Sequence, residues 1–401
     1  MANDNLTSAK RAKNDEFYTQ YGDIQKEMEA YLEYDPDTFR DKVVYCNCDD
    51  PFESNFFRYF VLNFNKLGLK QLITTSYKPS PVANTQLELF GDETFTKSKG
   101  RPKVTANKFI INEAHDIDGD GEFNLKDVAR QLKANKNNEW TPLKGDGDFR
   151  CDECINLLKQ SDIVVTNPPF SLFRQYVKQL FEYNKKFVII GNMNAITYKD
   201  VFPEIKENKL WLGATNFNTG MYFQVSSDFV YNDTYKFERE RNGVKVNRVP
   251  GVCWFTNLDH GRRHKPLPLM TMKENLKHSK HKEINGKRKY DKYDNYDAIE
   301  VSFTDSIPSD YDGVMGVPIS FLDKYNPDQF EILGMCENED LYNLKSKKYS
   351  TVECKTAYLD KFGKKGTYDL NASGVIIQNG LMEKVYQRVL IRHRKNYGSN
   401  A

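Results

Sequence analysis

The sequence has 401 residues, and its 58 lysines and arginines nearly balance 56 aspartates and glutamates, so the formal net charge is +2. This small charge excludes a polycation that binds nucleic acid through bulk charge alone, although it allows a local basic patch. Hydrophobic residues make up 39% of the chain, which is too apolar for wholesale disorder. At about 150 residues per domain, the length predicts roughly two to three domains.

The sequence carries no membrane or secretion signal that we can recognise. No apolar stretch approaches the ~20 residues that a membrane-spanning helix requires, and the N-terminus has no apolar signal segment. The seven cysteines are scattered along the chain, which is typical of reduced thiols. We therefore expect a cytoplasmic protein.

Strand-like and helix-like segments alternate along the first half of the chain. The apolar spacing predicts helices over 21–33, 52–64, 128–136 and 172–183, and strands over 42–48, 69–75, 109–112, 163–166 and 187–190. A polar insertion occupies about 79–140. This alternation predicts an α/β fold with a parallel, doubly wound sheet, in which ligands bind outside the carboxyl ends of the strands.

The most informative motif is Asn167-Pro168-Pro169-Phe170, which directly follows the strand predicted over 163–166. It suits methylation of a planar exocyclic amine, whose lone pair is conjugated into the ring and is therefore a poor nucleophile. Two acceptors against the N–H groups would pull that nitrogen towards tetrahedral geometry. The Asn167 side-chain oxygen is one acceptor and the Pro168 carbonyl the other, because successive prolines hold the backbone rigid and extended.

Phe170 completes this motif with an aromatic face. A base flipped out of a duplex can stack on such a face, and the contact contributes roughly 1–3 kcal/mol. No metal or cysteine nucleophile is required, because positioning and electrostatics do most of the work in this chemistry. The alternative interpretation of the four residues is a Pro-Pro turn that only ends a strand.

The segment 158–177, which contains this motif, resembles the catalytic segment of the EcoRI-type adenine-specific DNA methyltransferases. The segments 14–20, 45–52, 145–150 and 187–198 resemble other parts of the same family. The resemblance implies a Rossmann-like sheet, S-adenosylmethionine as cofactor, and methyl transfer to N6 of adenine. It also implies that Asn167, Pro168, Pro169 and Phe170 are the catalytic residues.

The same resemblance assigns cofactor-binding residues position by position. They are Tyr18 and Thr19 near the methionine end, Asp50, Pro51 and Phe52 in the first cofactor motif, and Asp148 and Phe149 against the cofactor's adenine. The resemblance assigns no ribose contact, because the second strand ends without an acidic residue, and Asp49 is the candidate for it. The chain departs from the wider group of amino-methyltransferases after Phe52, where Glu53-Ser54-Asn55 replaces a glycine-rich turn.

The order of these segments predicts two domains. Residues 1–258 would bind S-adenosylmethionine and catalyse the reaction, and residues 259–401 would form an α+β region that recognises the DNA target.

The segment 261–292 has eleven lysines and arginines against three acids, a net charge of +8, which leaves −6 for the rest of the chain. This asymmetry indicates a phosphate-facing segment, with Tyr290, Tyr293 and Tyr296 interleaved. The predicted DNA contacts are Arg262, Arg263, Lys287, Arg288 and Lys289; the alternative is a solvated basic linker.

An acidic loop within the polar insertion has the spacing of an EF-hand. Counting Asp116 as the first position, Asp118, Asp120 and Asp127 fall at positions 3, 5 and 12, with a glycine at position 6. The loop is a candidate site for a structural calcium ion. The alternative is an Asp/Gly-rich turn that caps a helix at Asp127, because a strand rather than a helix is predicted before the loop.

These features together predict a DNA adenine N6-methyltransferase that flips its target base out of double-stranded DNA. The enzyme would act either beside a cognate restriction endonuclease that cuts at the same site, or alone in an orphan or phage methylation role. The resemblance is compatible with a monomer. Two alternatives remain open. One is a methyltransferase of RNA adenine or protein glutamine, because both present a planar amine. The other is a DNA-binding protein whose cofactor site has decayed, as the missing glycine-rich turn suggests.

Overall fold

The computed structural model describes residues 18–48, 54–77, 106–117, 125–134, 137–215, 217–225 and 229–395. The chain divides into two compact units, the first comprising Met1–Ile205 with Lys209–Gly261 and the second Lys206–Asn208 with Arg262–Ala401. The predicted domain boundary after residue 258 lies close to this division. The assignment of catalysis and target recognition to the two parts stays a prediction.

The first unit contains most of the regular structure. Its strands are β1 (Tyr18–Thr19), β2 (Val43–Cys46), β3 (Gln71–Thr75), β4 (Asn107–Ile111), β5 (Glu139–Pro142), β6 (Ile163–Thr166), β7 (Lys186–Asn192), β8 (Trp211–Leu212), β9 (Met221–Gln224), β10 (Glu240–Arg241), β11 (Val244–Val249) and β12 (Val252–Thr256). The helices up to residue 206 are α1 (Tyr21–Tyr34), α2 (Asn55–Leu62), α3 (Phe64–Leu67), α4 (Leu125–Ala134), α5 (Asp152–Gln160), α6 (Phe173–Glu182) and α7 (Phe202–Lys206).

The main sheet of this unit is mixed rather than parallel throughout. Among the described residues its strand order is β5-β4-β3-β2-β6-β7-β12-β8. The central strands β3, β2, β6 and β7 run parallel to one another, as predicted. The outer strands β4, β5, β12 and β8 are paired antiparallel, which strand-helix alternation could not predict because an apolar run does not reveal the direction of a strand.

The apolar faces of the helices supply the core of the first unit. In α1, Ile24, Met28 and Tyr31 recur at helical spacing and are fully buried. In α2, Phe56 and Phe60 are fully buried. This helix begins at Asn55, three residues later than the sequence predicts, because the Ser54 hydroxyl caps it by accepting from the backbone N–H groups of its first turn.

A smaller sheet lies in the same unit, with strand order β1-β9-β11-β10. Its strands are antiparallel, and Tyr18 and Thr19 pair with Gln224 and Phe223. The predicted cofactor segment at the N-terminus is therefore attached to a strand some 200 positions later in the sequence, between 221 and 224. Within the described ranges, no helix of the protein combines the length and apolarity needed to cross a bilayer.

The second unit mixes strands with short helices. It contains α8 (Met272–His278), β13 (Ile299–Glu300), β14 (Met315–Pro318), β15 (Phe330–Met335), α9 (Thr351–Phe362), β16 (Val375–Gln378), β17 (Leu381–Lys384) and β18 (Arg388–His393). One sheet has the order β13-β14-β18-β15, and β16 and β17 form a separate hairpin. Both α8 and α9 begin with a capping box, at Thr271 and Ser350 respectively, which fixes where each helix starts.

Candidate active site

The centre of the main sheet contains a reversal of strand order. The chain passes from β2 through α2 to β3 on one side, whereas β6 lies on the other side of β2. Such a switch point leaves a crevice beyond the carboxyl ends of the two strands, and this is where ligands bind in open α/β sheets. The residues that follow β2 and β6 are therefore the residues to inspect for chemistry.

Asn47, directly after β2, holds these strand ends together. Its backbone carbonyl accepts a hydrogen bond from the Thr166 hydroxyl at the end of β6. Its side-chain Oδ1 accepts from the hydroxyl of Tyr176, which projects from α6. All three residues are buried, with exposed fractions of 3% for Asn47 and 0% for the other two. The strand end that precedes the predicted cofactor motif is thus bound to the strand end that precedes the predicted catalytic motif.

The predicted catalytic residues begin one position after this contact. Pro168 is buried, and Asn167, Pro169 and Phe170 are half-buried, with the Asn167 Oδ1 atom itself buried. Pro169 has φ −54° and ψ 123°, an extended conformation that ends where Phe170 starts a 3₁₀ turn leading into α6. No described donor hydrogen-bonds the Pro168 carbonyl, so this oxygen is available as an acceptor.

The segment 145–150 packs against the same helix. The ring of Phe149 meets that of Tyr176 edge-on, with centroids 4.9 Å apart, and the Phe149 carbonyl accepts from Gln179 Nε2 at 3.2 Å. Asp148 accepts from the Arg150 guanidinium at 2.9 and 2.6 Å. These hydrogen bonds lower the pKa of the Asp148 carboxyl, so the group is anionic at neutral pH.

Gly147 brings this segment close to the end of β3. Its φ of +78° lies in the left-handed region that side chains disfavour. A Cβ at this position would also overlap the backbone carbonyl oxygen of Ser76. The close approach of two backbones therefore requires glycine here, for both conformational and steric reasons.

Thr19 lies beside the beginning of α2. Its backbone carbonyl accepts from Asn55 Nδ2 at 2.7 Å. Its side-chain Oγ1 is buried and has no hydrogen-bond partner among the described residues. A buried hydroxyl normally has a partner, and none of the described residues supplies one here. Asp49, Asp50, Pro51 and Phe52 lie outside the described residues, but the residues flanking them, Cys48 and Ser54, are described.

The acidic loop receives no support as a calcium site. Asp118 and Asp120 lie outside the described residues, and Asp116 is exposed. Asp127 is fully buried in the first turn of α4, and its carboxylate accepts from the backbone N–H of Ile117 at 3.0 Å. This contact favours the turn interpretation. In the part of the chain that the structure describes, no group of three or more His, Cys, Asp or Glu residues is arranged to hold a metal ion.

The basic segment 261–292 of the second unit divides into exposed and structural residues. Arg262 pairs with Asp323, and Arg263 is buried and donates to Asn208. Lys287, Arg288 and Lys289 are exposed, and Lys287 is paired with Asp291 at 2.7 Å. Arg288 and Lys289 are therefore the members of the predicted set that can reach a phosphate without breaking an ion pair described in the structure.

The interleaved tyrosines of this segment are core residues rather than an exposed aromatic row. Tyr290, Tyr293 and Tyr296 are 6%, 6% and 2% exposed. The Tyr290 hydroxyl donates to the Ser306 carbonyl at 2.6 Å, and that of Tyr293 donates to Glu300. Their interleaving with the cations therefore does not make them part of a DNA-facing surface, because they are buried in the second unit.

Sequence analysis missed Asn47, Thr166 and Tyr176, which connect the elements of the site. Asn47 sits between two cysteines just before the first cofactor motif, and Thr166 immediately precedes Asn167. Their positions at the ends of two predicted strands could have identified both as residues of the site. Tyr176 carried none, because an aromatic residue on a helix is most often a core residue.

Comparisons with known proteins agree with one another. A family model described as adenine-specific methyltransferase EcoRI matches residues 5–394. The chain is 46% identical to Type II methyltransferase M.EcoRI of Escherichia coli over 333 residues, which cover 82% of this chain and 88% of that protein. It is 37% identical to M.MpnI of Mycoplasma pneumoniae over 331 residues, 82% of this chain and 85% of the relative. No solved structure matches significantly.

Replacing Tyr176 with phenylalanine is expected to lower the free energy of unfolding by about 1–3 kcal/mol, because Asn47 Oδ1 would be buried without its donor. Urea unfolding measures this change. Tyr183→Phe is the matched control, since it removes the same hydroxyl just after α6, where no described residue hydrogen-bonds to it. Equal stability of the two variants would contradict a structural role for the Asn47 contact.

Proposed function

The chain belongs to the EcoRI family of adenine-specific DNA methyltransferases, and we propose that Asn167 and Pro168 hold the N6 amine of a flipped adenine in its active site. The observation that carries this proposal is the position of the two residues at the switch point of the main sheet, directly after β6. The strand order β3-β2-β6-β7 also supports the Rossmann-like class that the sequence predicts.

The two acceptors suit the electronic demands of the amine. The conjugated nitrogen becomes nucleophilic as it moves towards tetrahedral geometry, and it gains positive charge as it reacts. A side-chain oxygen and a backbone carbonyl against its two N–H groups favour both changes. The Pro168 carbonyl accepts no other hydrogen bond from the described residues, and the two prolines keep it fixed before substrate arrives.

Phe170 is proposed to stack on the flipped adenine. Its side chain is half-buried and packs on one side against the core of the first unit, which limits its motion. A ring that is already ordered loses little conformational entropy when a base stacks on it. The start of a 3₁₀ turn at Phe170 fixes its backbone one residue beyond the prolines.

S-adenosylmethionine, which family membership implies, supplies the methyl group when it is bound. The residues proposed to hold it are Thr19, whose buried hydroxyl has no hydrogen-bond partner among the described residues, the segment 49–52, and Asp148 with Phe149. Asp148 is anionic at neutral pH and can accept a hydrogen bond from an adenine amine. Arg150, which already binds that carboxylate, keeps it oriented.

The second unit is proposed to recognise double-stranded DNA. Nine of the eleven cations between residues 261 and 292 have exposed side chains, and the first unit's predicted site has no comparable run. Cations on a surface supply phosphate contacts, which position the protein without reading sequence. A cognate restriction endonuclease that acts on the same site is the partner expected of a Type II enzyme.

Asn167→Ala is expected to lower the rate of methyl transfer to DNA by a factor of about 100 or more, because one of two acceptors that act at the reacting nitrogen is lost. Binding of S-adenosylmethionine should stay nearly unchanged. Single-turnover transfer of labelled methyl groups measures the rate, and sequencing for N6-methyladenine identifies the product.

Asn156→Ala is the control for this change, because Asn156 is an exposed residue on α5. It should retain full activity. Near-normal transfer by Asn167→Ala would refute the catalytic assignment. Transfer to RNA or to a glutamine peptide in preference to DNA would refute the substrate instead.

Phe170→Leu is expected to weaken capture of the flipped base by roughly 1–3 kcal/mol, whereas Phe170→Trp should retain most of it, since any aromatic face can stack. Fluorescence of 2-aminopurine at the target position reports flipping. Leucine is similar in apolar volume, so the comparison isolates the aromatic ring. Equal signals from the leucine and tryptophan variants would argue against stacking.

Replacing Lys287, Arg288 and Lys289 with glutamine should flatten the slope of log affinity against log salt by up to about 2.7, at about 0.9 per phosphate contact. Site preference should survive, because these residues are proposed to contact phosphates only. The control is Lys355, Lys364 and Lys365→Gln, which removes the same charge from exposed positions in the same unit. An equal change of slope in both triple variants would mean that net charge alone is responsible.

A further inference from the structure

The second unit contains a cavity of ≈ 850 Å³ that the sequence analysis did not anticipate. Its walls come from Leu267 and Leu269, from Ser309 and Asp312, and from the end of β18 with the residues that follow it. This volume lies within the range of about 300–1,000 Å³ typical of ligand sites. It is far larger than a single inorganic anion needs.

The walls of this cavity are held in place by hydrogen bonds. The Gln329 side chain accepts from the Leu267 N–H at 2.8 Å and donates to the Leu267 carbonyl at 3.0 Å. The Ser309 N–H donates to the Met270 carbonyl at 2.9 Å. His393 Nε2 donates to the Pro308 carbonyl at 2.8 Å. The cavity is therefore formed before any ligand enters, and binding does not have to pay for ordering these segments.

One side of the cavity is cationic. Arg392, Arg394 and Lys395 line it, and Asp312 is the single carboxylate among the lining residues. Arg394 is anchored by its backbone N–H, which donates to Gln329 O at 3.0 Å, and by its Nε, which donates to Pro327 O at 2.6 Å. Its charge is thus fixed at the rim although the residue is exposed.

The remaining two cations are available to an anion. Arg392 pairs with Glu331 at 2.8 Å, with both side chains about two-fifths exposed at 40% and 41%. An ion pair this exposed contributes little and is readily exchanged for a phosphate. Lys395 is exposed, and the structure records no ion pair between it and any described carboxylate.

We propose that this cavity binds the sugar–phosphate backbone of the DNA substrate, with Arg394 and Lys395 contacting phosphates and Leu267 and Leu269 contacting the sugars. A nucleic acid backbone alternates anionic phosphates with largely apolar sugar carbons. The cavity offers cations for the phosphates and leucine side chains for the sugars. The two leucines also belong to the basic segment 261–292, so the cavity is built partly from the segment already proposed to face DNA. This inference rests on the proposed function, because it takes DNA as the substrate.

The test is the double variant Arg394→Gln, Lys395→Gln in the full chain. We expect the slope of log affinity against log salt for duplex DNA to fall by up to about 1.8. Between 50 and 200 mM salt, the wild-type protein should then lose roughly tenfold more affinity than the variant. Binding of S-adenosylmethionine should not change.

The matched control is Lys364→Gln, Lys365→Gln, which removes two exposed charges of the same unit that do not line the cavity. It should leave the slope unchanged. An equal loss of slope in both variants, or none in either, would overturn the inference. Thermal unfolding confirms that each variant is folded, and a misfolded double variant is replaced by Lys395→Gln alone, with an expected change of about 0.9.

Inorganic phosphate and a duplex of matched length distinguish the two sources of phosphate. Weakened binding of inorganic phosphate to the double variant, with an unchanged slope on duplex DNA, would identify a small-anion site and overturn the proposal. Failure of the proposed function gives a different result, because a wild-type protein that does not methylate DNA can still display the salt slope. The two hypotheses can therefore fail separately.

Discussion

The interaction on which the first unit depends is the pair of hydrogen bonds at Asn47. Beyond this point the chain leaves the parallel strands β2 and β6 in different directions. The backbone hydrogen bonds between the two strands end there as well. Asn47 closes that gap with its carbonyl and its side chain, which accept from Thr166 and Tyr176. Because these groups are shielded from water, each bond is costly to break, and the crevice between the strand ends keeps its shape.

Each unit also contains a buried carboxylate that is held by several hydrogen bonds. In the first, Glu27 on α1 accepts from Tyr31 at 2.8 Å and from the Thr215 hydroxyl at 2.6 Å. Burial raises the pKa of this carboxyl, and these hydrogen bonds offset part of the effect. In the second, Arg388 donates to Glu300 at 2.6 Å, and Tyr293 donates to the same carboxylate. Removing one partner would leave a buried charge uncompensated, so such groups fix the packing of their unit.

The elements near the site could be predicted because the residue types in each segment favour the same secondary structure that the fold gives it. The strand Ile163–Thr166 has the predicted bounds, since an apolar β-branched run ends at two prolines. The antiparallel strand β12 escaped prediction, because an apolar run reveals burial but not direction. The burial of Tyr293 also escaped prediction, since its hydroxyl donates to Glu300, which in turn pairs with Arg388 from a distant part of the sequence. Long-range pairing of this kind leaves no local trace.

The proposed catalytic site and the proposed DNA contacts rely on different kinds of electrostatic interaction. The proposed catalytic groups, an amide oxygen and a peptide carbonyl, are neutral dipoles at a largely buried strand end, where dissolved ions hardly screen them. The proposed DNA contacts are exposed lysines and arginines, whose attraction to phosphate arises from counterion release and weakens steeply with salt. Neutral acceptors also avoid placing a carboxylate where a polyanionic substrate must approach. If both sets of residues act as proposed, added salt weakens the affinity of the enzyme for DNA. The reaction at the flipped adenine depends on fixed, buried dipoles, so its rate changes little with salt.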